Sequence, residues 1–156
     1  LLANIIEFEK QHSPKLRFHA HFDLSLPPVL GDRDKLHQIF LNLVRNAVEA
    51  SPPEGWIRLE TRPCSRWELA GTALDPSQSY LLITLSDEGC GVVAEHVEQL
   101  FKPFFTTKSS GHGLGLPITH RLIRAHGGQI RYAPAKSGGA GFEVMLPWSQ
   151  NSEAGT

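Results

Sequence analysis

The sequence is poor in cysteine and methionine and contains no long apolar run. It holds two cysteines, Cys64 and Cys90, and a single methionine. Two separate thiols make neither a disulfide framework nor a zinc site of the CxxC kind. They are typical of a protein that is kept reduced in the cytoplasm. Because no stretch of 18 or more residues is apolar throughout, the chain is not expected to cross a membrane.

An excess of charge of either sign is also lacking. Fifteen lysines and arginines balance 16 aspartates and glutamates, so the net charge is -1 with neutral histidines. This balance argues against the broad basic field with which proteins bind duplex nucleic acid. It still allows a local basic pocket for phosphate. With 156 residues, 40% of them hydrophobic, the chain can form one domain with its own core.

Apolar periodicity and turn residues predict an α+β layout. The expected elements are helices over 1–10, 32–50, 94–100 and 114–126 and strands over 16–22, 56–61, 80–85, 129–133 and 142–146. Residues 63–78 are expected to be a turn-rich hairpin connection, and residues 101–115 a loop. Because the strands come in adjacent pairs, we expect hairpins in a mixed sheet with helices on one face. The polar stretch 149–156 is expected to be a disordered tail.

The long helix over 32–50 carries an amide side chain on each turn. Gln38, Asn42 and Asn46 are four residues apart and therefore share one face. Amide oxygens are suitable ligands for a hard divalent cation such as Mg²⁺. The alternative is a solvated helix face, since amides are common on protein surfaces.

A carboxylate and two glycines, Asp87-Glu88-Gly89-Cys90-Gly91, follow a buried strand. A carboxylate at a strand end can accept a hydrogen bond from the exocyclic amine of adenine. Gly89 and Gly91 would let the backbone approach a flat base closely. The alternative is an ordinary turn between a strand and a helix.

The segment from Phe101 to Lys108 combines aromatic residues, hydroxyls and a lysine. Its three phenylalanines could anchor a loop in the core, so that Thr106, Thr107 and Lys108 face a ligand. Lysine binds phosphate as a point charge. The alternative is a hydrophobic anchor with solvated lysines.

A glycine-rich run, Gly111-His112-Gly113-Leu114-Gly115-Leu116, opens the next helix. Free N–H groups at the start of a helix attract anions, and glycines expose them. The GxGxG spacing is neither the dinucleotide-binding fingerprint nor a Walker A loop, because no βαβ unit surrounds it and no Gly-Lys-Ser/Thr follows. A triphosphate would suit such a helix start, but taken alone the run is a weak signal.

In their order and spacing, the four clusters resemble the catalytic ATP-binding domain of histidine kinases, within the superfamily shared with gyrase, Hsp90 and MutL. Residues 34–50 resemble its N box, 87–91 the G1 box, 101–108 the F box and 111–116 the G2 box. The strings NLVRNAVEA, PFFTTK and HGLGLPI also resemble nitrogen-regulation sensor kinases of the NtrB type. The resemblance implies a two-layer α/β sandwich, with a mixed sheet covered on one face by about three helices.

The resemblance also implies roles for individual residues. Gln38 and Asn42 would be catalytic, and Asn46 would bind Mg²⁺. Asp87 would recognise the adenine amine. The remaining ATP-binding positions would be Asn42, Asn46, Gly89, Gly91, Thr106, Thr107, Lys108, Gly111, His112, Gly113, Leu114, Gly115 and Leu116. Gly111, Gly113 and Gly115 would form the end of a mobile lid.

The activity implied by the resemblance is transfer of the γ-phosphate of ATP to a histidine on a separate dimerisation domain. A response regulator would receive the phosphate next, and a PII-type protein would be a further partner in nitrogen regulation. Residues 1–12 would end the linker or dimerisation helix, and residues 13–148 would form the catalytic domain. None of the eight histidines precedes an acidic residue as in a phosphoacceptor box, so this fragment is not expected to phosphorylate itself.

Two other functions remain open from the residues alone. One is another ATPase of the same superfamily, although gyrase-like and MutL-like modules have a glutamate base at the position of Asn42. The other is a regulatory module that binds nucleotide without transferring phosphate.

Overall fold

The structure is a computed structural model that describes residues 1–136 and 138–148, so the expected tail lies outside the described residues. The elements, in chain order, are α1 (Leu2–His12), β1 (Arg17–Phe22), α2 (Arg33–Ala50), β2 (Trp56–Pro63), α3 (Arg66–Leu69), β3 (Tyr80–Asp87), α4 (Ala94–Val97), α5 (Gly115–Ala125), β4 (Gln129–Tyr132) and β5 (Gly141–Pro147). The predicted α+β class is confirmed. In this part of the chain no helix is both long and apolar enough to span a bilayer.

The five strands form one mixed sheet in the order β1-β2-β3-β5-β4. Strands β1 and β2 are parallel, and α2 makes the long crossover that a parallel pair requires. The other three pairings are antiparallel. The sequence-adjacent pairs β2–β3 and β4–β5 are the two expected antiparallel pairs. Strand β3 is paired on both sides, which places its C-terminal residue, Asp87, at a fixed position in the middle of the sheet.

Helices α1, α2 and α5 pack on one face of this sheet and enclose the main core. Side chains from all of them meet there with alternate residues of the strands; the most deeply buried are Ile5, Ile39, Leu43, Ile57, Leu59, Ile123, Val144 and Leu146. The apolar stripe of α2 lies entirely in this core. Because one face of α2 is committed to the core, its amide face must turn towards α5 and the loops.

The start and end of α2 agree with the local signals in the sequence. The Asp32 carboxylate accepts hydrogen bonds from the N–H groups of Asp34 and Lys35 at 2.9 and 3.1 Å, which caps the first turn. Ser51, in extended conformation before two prolines, ends the helix and donates through its hydroxyl to the carbonyl of Ala47 at 2.8 Å.

The segment 63–78 differs from the expected hairpin connection, because it begins with the short helix α3. Ser65 and Glu68 form a reciprocal capping box there, and Arg62 pairs with the Glu68 carboxylate. A second, smaller core of Leu69, Tyr80, Leu82 and Met145 forms next to it. Since a four-residue helix is too short to show periodicity, the turn residues around it dominated the sequence pattern.

Several element lengths also differ from the prediction, among them those of β3 and α4. Strand β3 continues through Ser86 to Asp87, because both residues still pair with β2. The helix expected over 94–100 is only α4, Ala94–Val97. The first difference matters for the site, since it makes Asp87 the last residue of a strand rather than part of a loop.

Truncation of Leu43 should destabilise the domain strongly. Its side chain is 1% exposed in the core beneath the amide face of α2, so Leu43→Ala should lower the free energy of unfolding by about 2–5 kcal/mol. Urea denaturation followed by circular dichroism measures this. Leu24→Ala is the matched control, because Leu24 is 92% exposed and should change stability by less than about 0.5 kcal/mol. Equal losses in the two variants would contradict the assigned core.

Candidate functional site

A cleft of about 280 Å³ lies between the amide face of α2 and the first two turns of α5. Its lining residues are Gln38, Leu41, Asn42, Arg45, Gly115, Ile118 and Thr119. Two of the three predicted amides of α2 are therefore in its wall, and the glycine-rich run enters it through Gly115. A second hollow of about 350 Å³, between Ser13–Leu16 and Ser51–Pro53, contains none of the predicted site residues.

The side chain of Asn42 is fixed by α5. Its Nδ2 donates to the Thr119 hydroxyl at 2.9 Å, and Thr119 is buried. A Cβ atom on Gly115 would lie 2.6 Å from Asn42 Oδ1, so a larger residue there would displace the Asn42 side chain. Thr119 was not among the predicted residues. Its only sequence signal is a hydroxyl placed four residues after Gly115, on the same face of α5.

The predicted phosphate lysine reaches the long helix. Lys108 Nζ donates to Asn46 Oδ1 at 3.3 Å and to the carboxylate of Glu49. The structure thus joins Asn46 and Lys108 across 62 residues of sequence. Glu49, on the turn of α2 after Asn46, was not predicted as a site residue, because nothing in the local sequence shows which cation it meets.

Asp87 lies at the end of β3 with only 4% of its surface exposed. Its Oδ1 accepts hydrogen bonds from the N–H groups of Gly89 at 2.8 Å and Ala140 at 3.2 Å. Burial raises the pKa of Asp87 above its usual value, while these two donors and the positive charge of Lys108 oppose the rise. Within the described residues both bonds go to Oδ1, which leaves Oδ2 to accept from a ligand.

The two predicted G1 glycines have different structural reasons. A Cβ on Gly89 would lie 2.7 Å from the carbonyl oxygen of Ala50 at the end of α2. Gly91 has a φ of +71°, which favours glycine. Gly139 was missed by the sequence reasoning; a Cβ there would lie 1.8 Å from the Asp87 carbonyl oxygen. These close approaches fix the loop around the Asp87 carboxylate.

The expectation that all three phenylalanines anchor the loop over 101–108 is wrong for one of them. Phe101 and Phe105 pack against the core, and Phe105 also meets His96 with ring centroids 5.2 Å apart. Phe104 is 76% exposed and has a φ of +66°. Its N–H donates to the carbonyl of Gly113 at 2.9 Å, so this bond ties the F-box and G2-box segments together and turns the Phe104 ring towards solvent.

The remaining lid residues lie mostly on the surface. Thr106, Thr107, Gly111 and His112 are exposed, and the Thr106 hydroxyl accepts a hydrogen bond from the Lys108 N–H at 3.0 Å. The structure does not bring Thr107 or His112 to the lining of the cleft. Leu116 packs against the core, whereas Leu114 is 38% exposed.

Helix α5 begins without a side-chain cap. Leu114 occupies the N-cap position and makes no capping hydrogen bond. Pro117 has no N–H, so the N–H groups available in the first turn, where the helix dipole favours an anion, are those of Gly115 and Leu116. Gly115 lines the cleft beside Asn42, so this end of α5 opens into the cleft.

Arg45 is a further cleft residue that the sequence reasoning did not find. Its Nε donates to Glu9 Oε1 at 3.3 Å, and the Glu9 side chain of α1 is 6% exposed. This pair connects α1 to the wall of the cleft.

Comparison with known proteins agrees with this geometry. Residues 31–150 match the family described as "Histidine kinase-, DNA gyrase B-, and HSP90-like ATPase". The matched region contains all four predicted boxes.

Curated relatives and solved structures narrow the likeness to sensor kinases. The chain is 39% identical over 133 residues to the signal transduction histidine-protein kinase AtoS of Escherichia coli, covering 85% of this chain and 20% of AtoS. It is 39% identical over 144 residues to the sensory histidine kinase/phosphatase NtrB of Rhizobium meliloti, covering 90% of this chain and 37% of NtrB. The chain thus spans only about a fifth to two fifths of these relatives.

The fold is also similar to a solved kinase domain. The catalytic domain of histidine kinase ThkA superposes with a TM-score of 0.76 at 28% identity, over 94% of this chain and 89% of that one. The four boxes occur in order, and α2 and α5 enclose a cleft. Together with these matches, this shows that the chain belongs to the histidine kinase-, DNA gyrase B- and HSP90-like ATPase family, as a catalytic domain of the sensor histidine kinase kind.

Proposed function

We propose that this domain binds Mg-ATP and transfers the γ-phosphate to a histidine on the dimerisation domain of its own kinase. The proposal rests on one arrangement. Lys108 bonds to Asn46, and this pair lies beside a cleft that is enclosed by Asn42 and the uncapped start of α5. An amide oxygen, a cation and unpaired N–H groups are the groups that a triphosphate with its metal requires.

The base end of the nucleotide is assigned to Asp87. A carboxylate that is held by two backbone N–H groups keeps one oxygen for the exocyclic amine of adenine. Gly89 and Gly91 allow the loop to lie close to the ring. A buried acceptor of this kind rejects a base that lacks the donor, because the carboxylate would then lose its partner.

The phosphate end is assigned to Lys108 and the first turn of α5. Asn42 cannot rotate freely, since Thr119 holds its Nδ2, so its Oδ1 stays beside Gly115. Gln38 lines the same cleft and has no group that takes a proton at neutral pH. We therefore assign Gln38 the orientation of a reacting group by hydrogen bonding, rather than general-base catalysis.

The metal is assigned to Asn46. Its Oδ1 already accepts a hydrogen bond from the ammonium of Lys108, so this oxygen is placed and oriented for a cation. The chemistry of the donor fits Mg²⁺, which prefers oxygen ligands and keeps several waters. When bound, the ion neutralises charge on the phosphates.

The position of the proposed phosphate site indicates where the partner domain would bind. A histidine that receives the phosphate has to approach the start of α5, where Phe104 and Leu114 are exposed apolar residues. We propose that the dimerisation domain contacts this surface and that residues 1–12 end the helix leading to it. A cytoplasmic response regulator would then take the phosphate.

We propose nitrogen regulation as the pathway, with a PII-type protein as a regulator. The strings NLVRNAVEA, PFFTTK and HGLGLPI support it, as does the likeness to NtrB. AtoS is also 39% identical to this chain, over a shorter alignment. Mixing the domain with an NtrB-type dimerisation domain and γ-labelled ATP should label the acceptor histidine. Rapid phosphate release without labelled histidine would instead favour a hydrolysing ATPase.

Replacement of Asn46 should remove the effect of Mg²⁺ on nucleotide binding. In Asn46→Ala the amide oxygen is gone, so ADP affinity in Mg²⁺ should fall by about tenfold or more, roughly 1.4 kcal/mol, towards the value in EDTA. Isothermal titration calorimetry with and without Mg²⁺ measures it. Asn4→Ala on the exposed side of α1 is the control. A variant that keeps the wild-type response to Mg²⁺ would exclude Asn46 as the ligand.

Replacement of Asp87 should weaken recognition of adenine. Asp87→Asn keeps the size of the side chain but loses the charged acceptor, so ADP affinity should fall by about 10- to 100-fold, or roughly 1.4–2.8 kcal/mol. The preference for ADP over GDP should shrink in the same titrations. Asp23→Asn, in an exposed turn, should change neither. Unchanged ADP affinity in Asp87→Asn would refute the assignment.

Asp87→Asn should also raise the stability of the domain, by an amount that depends on pH. Because burial raises the pKa of Asp87 in the folded protein, the folded state holds this proton more tightly than the unfolded state does. Ionisation of Asp87 therefore destabilises the fold as pH rises through the raised pKa. Relative to wild type, nucleotide-free Asp87→Asn should gain thermal stability between acidic and neutral pH. A constant difference in unfolding temperature across that range would contradict the raised pKa.

A further inference from the structure

The salt bridge between Glu49 and Lys108 has no role in the nucleotide binding proposed above. It joins the last turns of α2 to the loop before α5, across 59 residues. The two side chains are 58% and 39% exposed. A salt bridge this exposed adds little to the stability of a fold. The main consequence of this salt bridge is therefore its effect on the charge of Lys108, the residue that is proposed to bind the phosphates.

In the structure, the charge of Lys108 is already neutralised. Its ammonium has three N–H donors; one goes to the carboxylate of Glu49 and one to Asn46 Oδ1. The Lys108–Glu49 pair has no net charge, so it attracts an incoming phosphate much less than a lone lysine would. A carboxylate at this position also repels the phosphates themselves.

The same lysine is bonded to the oxygen that is assigned to the metal. An ammonium and a divalent cation repel each other, so they do not share Asn46 Oδ1 favourably. Lys108 would therefore have to leave Asn46 when the metal-loaded nucleotide enters, and its acceptors would then be Glu49 and the phosphates.

We propose that Glu49 makes nucleotide binding depend on the divalent cation, by acting as the counter-ion of Lys108; this rests on the function proposed above. A nucleotide without metal brings negative charge to a lysine that is already paired. A nucleotide with metal brings less negative charge and displaces Lys108 from Asn46. Glu49 is in this sense a specificity-determining residue, which selects the metal-loaded nucleotide over the free one.

The test is the affinity for ADP in EDTA, compared with that in Mg²⁺, by isothermal titration calorimetry. In Glu49→Gln, Lys108 loses its counter-ion, so ADP in EDTA should bind roughly tenfold more tightly than to wild type. In Mg²⁺ the two proteins should differ by less than about threefold. The ratio of the ADP affinity in Mg²⁺ to the ADP affinity in EDTA should therefore be lower for Glu49→Gln than for wild type. Glu49→Asp, which keeps the charge, should retain most of the wild-type ratio.

Two controls separate this effect from a general change of charge. Glu7→Gln also removes an exposed carboxylate from a pair with a lysine, since Glu7 lies 3.8 Å from Lys10 and its side chain is 67% exposed. It should leave both affinities unchanged. In the double variant Glu49→Gln with Lys108→Gln, the gain in EDTA should disappear, because the effect acts through Lys108.

The outcomes distinguish this inference from the proposed function. Weaker binding of ADP to Glu49→Gln in EDTA, or an unchanged ratio, would overturn the role of Glu49 while leaving ATP binding intact. A gain that persists without Lys108 would overturn it as well. A wild-type domain that binds ADP under neither condition would refute the proposed function itself.

Discussion

The close approach of α2 and α5 is the constraint on which the whole site depends. Helix α2 has an apolar face and a polar face. Because the apolar face is buried in the core, only the polar face is available to line the cleft. Gly115 permits the contact, and the hydrogen bond from Asn42 to Thr119 holds it. Were either helix displaced, Gln38 and Asn42 would no longer share a cleft with Gly115 and Thr119. The cleft is thus a result of helix packing.

The elements that could be predicted from sequence are those with strong local signals. Helix α2 shows an apolar stripe over 18 residues with an aspartate cap and two prolines behind it, so both its limits and its polar face were predictable. The boxes were also predictable, because Asp87 and the glycines are recognisable by type and order. The short α3 was missed, since one turn carries no periodicity.

The site residues that were missed owe their roles to distant partners. Thr119, Glu49 and Gly139 are ordinary in their local sequence, and each is defined by a neighbour that the fold brings to it. Phe104 illustrates the reverse case. Its aromatic neighbours suggested an anchor, but its left-handed backbone and its bond to Gly113 turn it outward. Sequence pattern shows which residue types are present, and packing decides which way each one faces.

The length of α2 has a further consequence. The helix contacts Gly115 of α5 through Asn42, and Gly89 of the loop after β3 through the Ala50 carbonyl. These two residues are separated by two turns, or about 12 Å along the helix axis at 1.5 Å per residue. A single helix therefore sets the distance between the cleft and the loop that surrounds the Asp87 carboxylate. A movement of the loop over 101–113 would leave that distance unchanged, because both contact points belong to α2.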